Sequence, residues 1–237
     1  WVESKISGSD TAAGDKFGTS VAIDNTLIIV GAPENDGEGS AYIFRYDPST
    51  ESFTEHAKLT PSDAATGDSF GSAVDISGYN AIVGAPKKAT NGIDSGTAYF
   101  FEFDPILTTW VESIITATSP AAGELFGASV AVDHKSIAVG AIGDDGHGSV
   151  YYYRYDPSNH TASVSRLTPP DGASGDQYGK SVDIFTNILA IGAPEHDSGG
   201  SDAGAVYIHI WDPSDDTSAT TKITASDQSS GDQFGAS

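Results

Sequence analysis

Two short signatures recur along this chain at a separation that never changes. Phe17-Gly18, Phe70-Gly71, Phe126-Gly127 and Tyr178-Gly179 are each followed, fourteen residues after the aromatic, by a second glycine at Gly31, Gly84, Gly140 or Gly192. That glycine opens Gly-Ala-Pro three times and Gly140-Ala141-Ile142 once. A tyrosine comes eleven or fifteen residues later, at Tyr42, Tyr99, Tyr151 and Tyr207, and then Asp-Pro at 47–48, 104–105, 156–157 and 212–213. Such self-similarity means one supersecondary unit per repeat. Each unit must stack on its neighbours to bury its apolar faces.

Four strand-like runs fill each repeat. The first is short and alternating, as in Ser20-Val21-Ala22-Ile23. The second is apolar on both faces, as in Leu27-Ile28-Ile29-Val30, and reads as a buried strand closed by glycine. The third places aromatics at every second residue, Tyr42, Phe44 and Tyr46. Asp-Pro then starts a turn, because proline presets φ and aspartate bonds to nearby backbone. The fourth run, Thr54 to Leu59 or Trp110 to Ile115, is more polar and suits an outer edge strand. The expected fold is all-β: a β-propeller of four-stranded antiparallel blades, with the first two strands of each nearest the axis.

The expected propeller region is 1–237, with blades starting near 17, 70, 126 and 178. Residues 1–7 are expected to be the outer strand of a preceding or closing blade, and 231–237 the start of a further one. The aromatic-to-aromatic spacings of 53, 56, 52 and 56 alternate. Arg45-Tyr46-Asp47-Pro48-Ser49 returns as Arg154-Tyr155-Asp156-Pro157-Ser158, and Trp1-Val2-Glu3-Ser4 as Trp110-Val111-Glu112-Ser113. These matches imply a duplicated two-blade unit in a segment of a longer array. A closed four-bladed ring with overhanging ends is the competing arrangement.

Composition narrows the function classes. Asp and Glu outnumber Lys and Arg 33 to 11, a formal charge of −22 that repels nucleic-acid phosphates and anionic membrane surfaces. Cysteine is absent, which excludes disulfides and thiolate metal sites. No apolar run approaches the length of a membrane-spanning helix, so no membrane insertion is expected. Asn159-His160-Thr161 fits the N-glycosylation pattern, whose consequence depends on the source.

At the Phe/Tyr-Gly, Gly-Ala-Pro and tyrosine positions the chain resembles the FG-GAP repeat family, whose repeats form the blades of the integrin α-subunit propeller and of many secreted microbial proteins. The resemblance implies a β-propeller, usually seven-bladed, working outside the cell in adhesion or ligand binding and often loaded with calcium. Calcium-binding blades of that family carry an Asp-x-Asp-x-Asp-Gly-type loop between Phe-Gly and Gly-Ala-Pro. Here that connection is a tight turn at Asp24-Asn25, Ser77-Gly78, Asp133-His134 and Phe185-Thr186, so calcium does not carry over from the resemblance.

The loops after Gly-Ala-Pro are the remaining candidates for Ca2+. They hold Glu34, Asp36 and Glu38 in the first repeat, Asp144 and Asp145 in the third, and Glu195, Asp197 and Asp202 in the fourth. Calcium needs six to eight oxygens on a glycine-bent loop. These loops offer two or three carboxylates each, and repeat two has Lys87-Lys88 instead. A solvated turn built from Asp, Asn and Gly explains the same residues. The acids of Gly-Asp-x-Phe-Gly (Asp15, Asp68, Asp176 and Asp232, with Glu124 in repeat three) recur in every blade, which marks a structural cap rather than a catalytic group. The tyrosine columns read as inter-blade packing.

No nucleophile elbow, phosphate loop or histidine pair at metal spacing occurs, so no enzyme is expected. Three roles follow. One is an extracellular or cell-surface propeller that binds a protein or glycan through its rim loops. Another is a structural subunit of a surface layer or filament, whose partners are copies of itself. The third is an enzyme whose active site the propeller only frames.

Overall fold

The computed structural model describes residues 3–134, 136–156, 161–212 and 217–237. It is all-β, with four antiparallel four-stranded sheets in chain order. The first blade holds β1 (Ser20–Asp24), β2 (Leu27–Ala32), β3 (Ser40–Asp47) and β4 (Ser52–Leu59). The second holds β5 (Ala73–Ser77), β6 (Asn80–Ala85), β7 (Thr97–Asp104) and β8 (Thr109–Ile115). The third holds β9 (Phe126–Asp133), β10 (Ser136–Ala141), β11 (Ser149–Asp156) and β12 (Thr161–Leu167), and the fourth β13 (Ser181–Phe185), β14 (Ile188–Ala193), β15 (Ala205–Asp212) and β16 (Thr217–Ile223). These are β-propeller blades. Asn159 lies outside the described residues.

Each strand follows from its local pattern. The apolar second strand is sandwiched within its sheet and between neighbouring blades, so Ile29, Ile82, Ala138 and Ile191 are all buried. Asp47 Oδ1 accepts the Ser49 N–H at 2.8 Å, and Asp104 Oδ1 accepts the Ile106 N–H at 2.7 Å, closing the Asp-Pro turns.

The core lies between blades rather than within them. Leu27, Ile29, Ala41, Ile43 and Leu59 of the first blade pack on Phe70, Val74, Ile76, Val83 and Tyr99 of the second. Ile82 and Ala98 meet Phe126, Val130 and Val139 of the third, and Ala138, Val150 and Tyr152 meet Tyr178, Ile184 and Ile191 of the fourth. The innermost strands β1, β5, β9 and β13 touch in succession, while no comparable contact joins the first and fourth blades among the described residues. The described blades therefore make an open arc.

The two signatures meet in this stacking. The Gly71 N–H donates to the Gly84 carbonyl of its own blade at 3.0 Å, as Gly18 does to Gly31 and Gly179 to Gly192. The carbonyl of Gly71 in turn lies so close to Gly31 of the preceding blade that a Cβ there would sit 2.0 Å from it. The same approach joins Gly84 to Gly127, Gly140 to Gly179 and Gly192 to Gly235. Phe-Gly and Gly-Ala-Pro are thus complementary halves of one inter-blade contact.

Residues 3–8 form no strand with any of the four described blades. A fourth strand needs the free edge of a third, and β3, β7, β11 and β15 each already pair with their own fourth strand. Phe234 makes the parallel bridge to Gly204 that Phe70 makes to Gly39 and Phe126 to Gly96, so 231–237 repeats the entry of a blade.

Candidate functional site

The loops after Gly-Ala-Pro and the segments preceding Phe-Gly share one rim, and backbone hydrogen bonds stitch them across blades. The Gly67 N–H reaches the Gly37 carbonyl at 2.8 Å, Gly123 reaches Ile93 at 2.9 Å, Gly175 reaches Gly146 at 2.8 Å and Gly231 reaches Ser201 at 2.9 Å. Short 3-10 turns at Asn35–Gly37 and Asp144–Gly146 shape the loops of the first and third blades. The acids before Phe-Gly act as caps on this rim. Asp15, Asp68, Asp176 and Asp232 accept the N–H groups of Ala12, Ala65, Ala173 and Ser229 at 2.7 to 3.0 Å.

Beneath the rim, each blade carries a tyrosine hydroxyl on a carboxylate beside a cation. Tyr42 donates to Asp10 at 2.6 Å, and Lys58 bonds both Asp10 and Asp36. Tyr207 donates to Asp171 at 2.6 Å, and Lys222 pairs with the same carboxyl, holding it down at about 2. Lys58, Arg166 and Lys222 all stand opposite their tyrosine on the fourth strand.

The second blade has Ile114 at that place. Its cation comes instead from the loop, where buried Lys88 pairs with Asp68 at 2.8 Å and Asp63 at 3.4 Å, while Tyr99 donates to Asp63. The third blade has Ser119 where the others place Asp10, Asp63 and Asp171. Tyr151 turns to Asp144 at 3.0 Å, and Arg166 grips Asp144 through two nitrogens. Arg166 also bonds Asp145. Glu124, 6% exposed, faces this pair; burial first and Asp144 second push its carboxyl upward.

The position four residues beyond the Gly-Ala-Pro glycine, occupied by Asn35, Lys88, Asp144 and His196, is buried in every blade. It complements the cap acid: the Asn35 amide donates to Asp15 at 2.9 Å, and Lys88 meets Asp68. His196 Nε2 lies 3.6 Å from Asp171 and 4.0 Å from Asp176.

The eight candidate metal ligands stay on three separate loops. Glu34 pairs with Lys16 at 3.2 Å and Asp36 with Lys58 at 3.1 Å, while the Glu38 carbonyl receives the Phe70 N–H. Asp144 and Asp145 are held by Arg166. Glu195 accepts from Gln177, and Asp197 accepts the Asp202 N–H at 3.0 Å. Among the described residues no three His, Cys, Asp or Glu side chains are grouped to hold a metal ion. The carboxylates of Glu34, Asp36, Asp144 and Asp145 neutralise cations, and those of Glu195 and Asp197 brace loops. Sequence reading missed Asp10, Lys58, Asp63, Lys88, Arg166, Asp171 and Lys222. Their only signal is a charged residue recurring opposite or near each tyrosine.

Along the inner strands Asp75 is the outlying group. Its carboxylate accepts the Val132 N–H of the next blade at 2.7 Å and the Ile76 N–H at 2.8 Å. Burial raises its pKa to about 6, with Asp183 and Asp24 adding repulsion.

The sequence model of the FG-GAP repeat matches residues 1–44, 53–101, 110–153 and 161–209. No curated protein matches the chain. Among solved structures, a protein of Bacteroides uniformis named for 6-phosphogluconolactonase activity superposes with a TM-score of 0.57 at 11% identity, over 89% of this chain and 57% of that one. Sqt1 of Saccharomyces cerevisiae superposes with a TM-score of 0.48 at 14% identity, over 89% of this chain and 48% of that one. The chain spans about half the length of these structures.

Proposed function

Because this chain belongs to the FG-GAP repeat family, we propose that it is an extracellular binding propeller that recognises a protein or glycan through its loop rim. The observation carrying this reading is the backbone stitching of that rim. Bonds such as Gly67 to Gly37 and Gly123 to Ile93 hold the loops in one arrangement, and a rigid display loses little entropy on binding. On this frame the exposed side chains differ from blade to blade, with Glu34 and Asp36 in the first, Lys87 and Ile93 in the second, and Asp197 and Asp202 in the fourth. A repeated structural role would keep them alike. The role is binding rather than catalysis.

The test is an array of glycans and soluble extracellular proteins probed with the chain and with a Lys87→Ser/Ile93→Ser variant. A ligand whose signal drops at least tenfold in the variant supports the reading. An array without hits, or hits indifferent to changes in every loop, overturns it.

A second reading, a subunit that stacks end to end with its own copies, draws on the outer faces of the arc. Ile23 is 69% exposed, whereas its equivalent Ile76 is 3% exposed beneath the preceding blade. Ile223 is 44% exposed, whereas its equivalent Leu59 is 4% exposed beneath the following blade. Ile23→Asp and Ile223→Asp variants would each be monomeric, and mixing them would form a one-to-one complex through the single intact pair of faces. A wild-type chain that stays monomeric in sedimentation overturns this reading.

A further inference from the structure

The opposite rim, formed by the β1–β2 and β3–β4 turns and their equivalents, holds a cleft between the first and second blades. Asp24, Asn25, Thr26, Leu27, Arg45 and His56 line it from the first blade, and Gly78, Tyr79 and Phe103 from the second. Its volume is ≈250 Å³. One wall is aromatic. The Tyr79 ring stacks on Phe103 with centroids 5.5 Å apart and planes 27° apart. Phe103 is braced from behind by His56 and Trp110, each at 5.4 Å. Tyr79 is nonetheless 63% exposed, so this stack does not bury its ring.

The polar edge is equally prepared. Asp24 Oδ2 accepts the Gly78 N–H at 2.6 Å and the Asn25 amide at 3.1 Å, which locks the carboxylate and leaves Oδ1 as a free acceptor. The Arg45 guanidinium makes no ion pair or aromatic stack among the described residues and adds planar donors.

The duplicated blade pair supplies an internal comparison. In the third and fourth blades Arg154 stands for Arg45, Trp211 for Phe103 and Asn187 for Tyr79. There the guanidinium lies over the indole at 4.0 Å, and the Asn187 amide donates to the Trp211 carbonyl at 2.7 Å. That cation–π stack takes up the space between the two side chains. Of the two pairs, only the first shows no such stack among the described residues, and its cleft is lined by guanidinium, aromatic wall, carboxylate and amide together. A feature present once in a repeat protein calls for an explanation other than stacking.

We propose that this cleft binds one neutral hexose residue, free or at the end of a glycan. A sugar ring has an apolar C–H face, which suits the exposed Tyr79 ring. Its hydroxyl edge both donates and accepts, which suits Asp24, Asn25 and Arg45. The volume lies below that of drug-sized pockets and matches one ring with its substituents. The lining holds one carboxylate, Asp24, and one guanidinium, Arg45, so the cleft carries little net charge of its own, which suits an uncharged ligand. The site is independent of the loop rim.

The test titrates the chain with glucose, galactose, N-acetylglucosamine and their β-linked disaccharides by calorimetry and saturation-transfer NMR. At least one should bind saturably with a dissociation constant on the order of 1 mM, the affinity open to so small a polar ligand. Tyr79→Ala and Arg45→Ala should each weaken it at least tenfold without shifting the melting temperature. Asn187→Ala and the Lys87→Ser/Ile93→Ser loop variant should leave it unchanged. No saturable binding up to about 20 mM, well above that constant, overturns the proposal. So does binding that survives Tyr79→Ala. Loss of array ligands in the loop variant with sugar binding retained would separate the two surfaces.

Discussion

Gly84→Ala is the smallest change that reports on how the signatures work. The added methyl would sit 2.0 Å from the Gly127 carbonyl oxygen and 3.0 Å from its carbon. Both obstructing atoms are backbone, so no rotamer change relieves the overlap, and the second and third blades must part by roughly 1 Å. Gaps of that size forfeit a quarter to a half of each dispersion well. The loss falls on the layer where Ile82 and Ala98 meet Phe126, Val130 and Val139. Overpacking usually costs about 1–3 kcal/mol. With the interface loosened as well, the cost is about 3–5 kcal/mol, in the range reserved for specific structural failures. For a domain of this size that lowers the melting temperature by about 10 °C.

The matched control is Gly67→Ala. Gly67 has φ +93° and nothing within 4 Å of its Cβ position, so only backbone strain is felt. That strain amounts to about 1–2 kcal/mol. Thermal melting and urea unfolding, followed by tryptophan fluorescence, compare the two. Hydrogen exchange should accelerate at the facing strands β6 and β9 in Gly84→Ala only. If Gly84→Ala is no less stable than Gly67→Ala, the glycine-on-carbonyl contact is not what the invariant spacing protects.

Asp75 has a folded pKa of about 6, above its unfolded value, so its contribution is fully present below about pH 4 and is lost as pH rises through 6. About 2–3 kcal/mol is involved; Asp75→Asn should flatten the fall in stability between pH 4 and 7, and parallel profiles for the two proteins would refute the assignment. Arg166→Met strips the cation from buried Asp144, at a cost of about 3–5 kcal/mol at pH 7. The loss should shrink on acidification, as the Glu124 carboxyl, held above its ordinary range by burial, protonates and stops repelling Asp144, and a deficit equal at pH 5 and pH 7 would contradict this. Calcium at millimolar concentration should leave the melting temperature unchanged, because Lys16, Lys58 and Arg166 already engage Glu34, Asp36, Asp144 and Asp145; a rise of several degrees would show that the ion displaces them.

The repeat count, the four strands per repeat and their order across the blade were legible in the chain because they rest on local signals. Strand period, a glycine after an apolar run and Asp-Pro after an aromatic run each act within a few residues. The structural reading of the cap acids follows likewise, since Asp68 reaches an N–H only three residues away. Pairing is a different matter: segment 3–8 forms no strand with the four described blades, because each of their third strands already holds its own fourth.

Tertiary packing decided what no local pattern could. Gly-Ala-Pro of one blade meets Phe-Gly of the next, a pairing invisible to spacing within a repeat because the halves touch across a blade boundary. Packing also decided that Lys88, from a loop, replaces the strand cation missing at Ile114, and that Asp144 serves Tyr151 where Ser119 cannot. It turned the acidic loops into ion pairs by bringing Lys58 and Arg166 alongside from 21 or 22 residues away. The open cleft at Tyr79, and its closure by Arg154 on Trp211, likewise depend on how two blades stack. The sequence determines the blade; the space between blades, where the charges pair and the cavity lies, exists only once blades are packed.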